Sequence, residues 1–84
     1  MRRMAEIRAS EDLWATSMLP EGTVERWMVE TGATVARGEA VIVVRIEDAL
    51  HEIVAPVSGR VIALAAVNAL IEPGSVLGEI AAPA

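Results

Sequence analysis

Gly32-x-x-Val35-x-x-Gly38-x-x-Val41-x-x-Val44 and Asn68-x-x-Ile71-x-x-Gly74-x-x-Leu77-x-x-Ile80 are one pattern written twice along the chain. An earlier echo precedes each copy: Gly22-x-Val24-x-x-Trp27 answers Gly59-x-Val61-x-x-Leu64. The offset is 37 residues in the earlier segment and 36 in the later one, so one residue is lost near Ala65-Ala66. Asn68 falls where the first copy has Gly32. After Gly, Asn is the residue that best tolerates left-handed backbone, so both positions are expected to hold a positive φ.

The repeated unit reads as strand. β-branched residues cluster in short runs, Val41-Ile42-Val43-Val44, Ile53-Val54 and Val61-Ile62, punctuated by Gly22, Gly32, Gly38, Pro56, Gly59, Pro73, Gly74 and Gly78. Punctuation so frequent leaves no room for long helices and points to a small sandwich or barrel. Val61 to Ile71 is apolar all round, and by propensity it fits a helix as well as a strand. The repeat decides for strand–turn–strand, because the first copy is strand. Two equivalent halves make a pseudo-twofold all-β unit. Ala55-Pro56-Val57-Ser58-Gly59 lies between them, where the chain is expected to turn from one sheet into the other.

Composition excludes several functions. Eighty-four residues make one small domain with a thin core. That core is built from small aliphatics, with fifteen Ala, eleven Val and only Trp14 and Trp27 as aromatics. A base-stacking platform needs several rings, and a net charge of −5 disfavours any grip on phosphates, so no nucleic-acid partner is expected. Without Cys there is no disulfide, no thiolate nucleophile and no Cys-type zinc site. The longest uncharged run, Val61 to Ile71, has eleven residues, short of the roughly 20 that span a bilayer. Charges interrupt the first eight residues where a signal peptide would be apolar. No membrane association and a cytoplasmic location are expected.

All seven cations are Arg: Arg2, Arg3, Arg8, Arg26, Arg37, Arg45 and Arg60. The 84 residues contain no lysine. The guanidinium stays protonated and is a poor nucleophile, so no side chain here can form a Schiff base or an acylated amide.

Three elements together resemble the biotinyl/lipoyl carrier-domain family. They are Glu21-Gly22-Thr23-Val24-x-x-Trp27-x-Val29, Gly32-x-x-Val35-x-x-Gly38-Glu39, and Glu52-Ile53-x-Ala55-Pro56-Val57-Ser58-Gly59. The resemblance spans about residues 19 to 81 and is closer to the lipoyl branch. It implies an all-β barrel-sandwich hybrid, a flattened barrel of two four-stranded sheets, with residues 1–18 as an N-terminal strand and loop and 19–84 as the lipoyl-like domain. It also implies an acyl-carrying lysine at the tip of an exposed hairpin, eight residues before the Pro of Ala-Pro. That position is Asp48 in this chain, between Glu47 and Ala49.

A hairpin with Glu47-Asp48 at its tip sets Ile42 opposite Ile53, Val44 opposite His51 and Ile46 opposite Ala49. Alternation then turns His51 inward and Glu52 outward, so the two do not converge on one ion, and no metal site is expected. The outer face of the hairpin is expected to carry Val41, Val43, Leu50 and Val54 beside Arg45 and Glu52. Contiguous exposed aliphatics make a candidate interface, homotypic or with a partner. Trp14 fits either a surface anchor or a packing residue.

These readings converge on a non-catalytic interaction or regulatory module, without cofactor, of an acyl-transfer or 2-oxo acid dehydrogenase-type system. Its partner would be a dehydrogenase or acyltransferase component. Two alternatives stand beside it: a lipoyl/biotinyl carrier, which the missing lysine opposes, and a small enzyme using Asp48 and His51, which the strand geometry opposes.

Overall fold

Short β-branched runs cut by Gly and Pro fold into eight short strands among the described residues. A computed structural model describes residues 3–82. In chain order they are β1 (Arg3–Arg8), β2 (Gly22–Trp27), β3 (Thr34–Val35), β4 (Ala40–Ile46), β5 (Ala49–Val54), β6 (Gly59–Leu64), β7 (Leu70–Ile71) and β8 (Val76–Ala82). A single 3₁₀ turn, Glu11–Trp14, interrupts the connection from β1 to β2. The strands form two antiparallel four-stranded sheets, ordered β1-β8-β6-β3 and β5-β4-β2-β7. The sheets do not close into a barrel. The result is a flattened barrel-sandwich.

The duplication is visible strand for strand. Exchanging β2 with β6, β3 with β7, β4 with β8 and β5 with β1 turns one sheet order into the other. Bulges follow the same rule: Glu25 is the extra residue of β2 and Ile62 of β6, while Val41 is skipped in the β4–β5 ladder. Gly32 has φ +93° and donates its N–H to the Val61 carbonyl at 2.7 Å; Asn68 has φ +70° and donates to the Val24 carbonyl at 2.8 Å. Val61–Ile71 is therefore strand, turn and strand.

Four of the apolar positions that the two copies share are core. Val24 and Val61, Val35 and Ile71, Val41 and Leu77, and Val44 and Ile80 are all buried in one cluster. Each such side chain taken from water contributes about 1.5–3 kcal/mol. Gly22 and Gly59 begin β2 and β6 because a Cβ there would press into the carbonyls of Arg45 and Ala81 on the neighbouring strands. Trp27 packs against the cluster edge, and its indole N–H donates to the Ala65 carbonyl at 2.7 Å.

β1 pairs along β8, so the N-terminal segment belongs to the same unit as the rest. Residues 1, 2, 83 and 84 of the expected ranges, Arg2 among them, lie outside the described residues.

Candidate functional site

β4 and β5 form the expected hairpin in the expected register: Ile42 faces Ile53, Val44 faces His51 and Ile46 faces Ala49. The chain reverses through Glu47 and Asp48. Glu47 holds a left-handed backbone, φ +54°, in a position where an L residue is disfavoured. Its side chain offsets that cost. One carboxylate oxygen accepts the Met18 N–H at 2.8 Å, the Ser17 hydroxyl at 3.1 Å and the Leu19 N–H at 3.3 Å. The Met18 amide and then the Ser17 hydroxyl, with Leu19 adding less, hold the Glu47 carboxyl below the ordinary carboxylate range against a slight desolvation. The hairpin tip and the loop before β2 are thereby clamped into one surface. Sequence reasoning missed this contact, since no local motif links Glu47 to a loop 28–30 residues away.

Asp48 stands exposed at the outer end of the tip, with Ala49 exposed after it. Between tip and loop lies a shallow depression of about 350 Å³, walled by Leu13, Thr16 and Ser17 on one side and by Ile46, Asp48 and His51 on the other. His51 is half-buried and Glu52 exposed, as alternation requires. Among the described residues no three His, Cys, Asp or Glu side chains come together as metal ligands.

The expected apolar outer face needs correction. Val41 is 0% and Val43 3% exposed, while Leu50 and Val54 are 54% and 50% exposed. Val41 is the bulged residue of β4, so the alternation that assigned it outward fails at that point, and it joins the core. Val43 keeps its phase and stays outside the core cluster. It sits on a central strand between Arg26 and Glu52, and such long neighbours cover a mid-sheet valine. Only Leu50 and Val54 remain as exposed aliphatics of that face. Exposed Met18, Leu19 and Leu70 join them at the tip end, where Leu50, Arg45, Thr23 and Leu70 follow one another across the sheet. Arg45 is paired there with Glu25 at 3.1 Å.

Trp14 is a packing residue. It is buried in the core cluster, with its indole N–H unpartnered, so it offers no surface anchor. No helix among the described residues is long and apolar enough to cross a membrane.

Two duplicated sheets presenting a two-residue hairpin tip at one end define a carrier-type domain. Residues 15–80 match the biotin/lipoyl family, described as "Biotin-requiring enzyme". The chain belongs to the biotinyl/lipoyl domain family. No curated protein matches it.

Proposed function

We propose that this domain is a lipoyl-like module whose hairpin tip docks to a protein partner instead of carrying an acyl group. One observation carries the reading: the 84 residues contain no lysine, and the tip is Glu47-Asp48. An amide-linked cofactor needs an uncharged amine to attack the activated acyl group, and a carboxylate at Asp48 supplies none. By the family resemblance Asp48 occupies the attachment position. The carrier alternative has no nucleophile to work with there.

What remains at the tip is suited to recognition. Glu47 fixes the loop, Asp48 presents a charge beyond it, and Leu50, Leu19 and Leu70 supply apolar area alongside. A rigid tip loses little conformational freedom on docking, so more of the contact energy appears as affinity. The module carries out no chemistry of its own and binds no cofactor in this reading. Its partner is a component of an acyl-transfer or 2-oxo acid dehydrogenase-type assembly in the cytoplasm.

The test is a titration of ¹⁵N-labelled domain with a purified 2-oxo acid dehydrogenase component. The expected result is saturable shifts confined to the Leu13–Leu19 loop and the Ile46–His51 tip. Shifts absent at the tip, or spread evenly over both sheets, would count against docking through this end.

A further inference from the structure

Sheet edges are where a sandwich can recruit another strand, and this one has four. β3 and β7, with two residues each, are too short to recruit one. The other two, β1 and β5, have six residues each and are counterparts under the internal repeat, yet they differ in chemistry. β1 exposes Met4 but flanks it with Arg3, Glu6 and Arg8, the last two ion-paired, which is how natural sheets guard an edge. β5 reads Ala49-Leu50-His51-Glu52-Ile53-Val54, and its single formal charge, Glu52, stands between exposed Leu50 and Val54.

The backbone phase of β5 follows from Ala55. Its N–H donates to the Glu39 carbonyl at 2.8 Å and its carbonyl accepts from the Gly38 N–H at 2.9 Å, so Ala55 faces the β4 side. Alternation then turns the N–H and C=O of Ile53, His51 and Ala49 toward β4, and those of Leu50, Glu52 and Val54 away from the sheet. A second β5 running antiparallel about a twofold axis perpendicular to the sheet meets these groups best in one register. In it Glu52 lies opposite its own copy and Leu50 lies opposite Val54 on both sides. Moving the centre by one residue leaves one of the three outward residues unpaired and sets Glu52 against an aliphatic.

We propose that two copies of this chain associate through β5 in that register, joining two four-stranded sheets into one of eight strands. The inference rests on strand geometry and stands apart from the docking role. Its one unfavourable contact is Glu52 against Glu52 at the axis, which keeps the association weak. Asp48 lies four residues from the axis, so the two tips point in opposite directions, about 26 Å apart at the usual strand rise. Asp48, Leu19 and Leu70 stay clear of the seam, while Leu50 is shared between the seam and the tip surface.

Sedimentation equilibrium of the full chain tests this, with wild type, Glu52→Gln and Leu50→Glu/Val54→Glu compared. Wild type is expected to dimerise by millimolar concentration, and Glu52→Gln to tighten the dimer by about two- to fivefold. The double variant should remain a monomer that unfolds thermally as a folded domain does. Because the chain has no Cys, Asp48→Cys takes one spin label, and pulsed dipolar spectroscopy should give about 26 Å plus the reach of two labels. A wild type monomeric at millimolar concentration would overturn the proposal. So would a dimer surviving the double substitution, a Glu52→Gln dimer no tighter than wild type, or tips lying side by side.

Discussion

Asn68 offers a direct probe of the duplication, because its effect can be worked from backbone alone. Its side chain is exposed and its φ is +70°, so substitution there changes no core contact. Left-handed backbone costs an L residue roughly 1–2 kcal/mol, less for Asn and more for a β-branched residue. Asn68→Val should therefore destabilise the domain by about 1–2 kcal/mol. For a chain of this size that lowers the melting temperature by about 5–15 °C. Asn68→Gly removes the φ strain but adds unfolded-state freedom, and the two nearly cancel, leaving a change between zero and about 0.5 kcal/mol stabilising. Gly32 is the mirror test: φ is +93° and nothing lies within 4 Å of where its Cβ would sit, so Gly32→Val should lose at least as much as Asn68→Val. Urea and thermal unfolding followed by circular dichroism read all three, with exposed Thr34→Val as control, expected within about 0.5 kcal/mol. If Asn68→Val matched wild type, the positive φ would not be what selects Asn there, and the equivalence to Gly32 would lose its physical basis.

Two further outcomes follow from the hairpin. Val43→Glu places a carboxylate where only 3% of the side chain is exposed, so it should cost about 2 kcal/mol or more in urea unfolding; a change under about 0.5 kcal/mol would mean that Val43 faces open solvent. Glu47 has a folded-state pKa below its unfolded one, so the clamp is fully made above the ordinary carboxylate pKa and is lost as pH falls through the lowered value. Protection of the Met18 and Leu19 amides, taken relative to the intrinsic exchange rate at each pH, should fall on that acidification, and at neutral pH in Glu47→Ala, while the β4–β5 pairing stays protected; equal protection in both states would show that Glu47 does not hold the loop.

How much was legible depends on whether a residue obeys a period. The strands, the Gly32–Asn68 equivalence and the Ile42–Ile53 register follow from a two-residue alternation and a repeat, both of which are written in the sequence. Val41 broke the alternation because a bulge adds one residue to β4, and nothing local distinguishes it from Val43. Val43 departs from the expected exposure for another reason: a face directed away from the core is still covered when Arg26 and Glu52 flank it. The Glu47 clamp joins residues about thirty apart through a loop without periodicity, so only the folded chain brings them together. Trp14 sits in that same loop, and its burial depends on how the 3₁₀ turn closes over the core.

If Asp48 stands at the attachment position and only the nucleophile is missing there, a lysine at 48 should restore modification. Intact-mass analysis of wild type, Asp48→Lys and Ala49→Lys after incubation with lipoate ligase, lipoate and ATP tests it most directly. Wild type is expected to stay unmodified, Asp48→Lys to gain a lipoyl group and Ala49→Lys to gain none. A lipoylated wild type, or equal modification of both lysine variants, would contradict it.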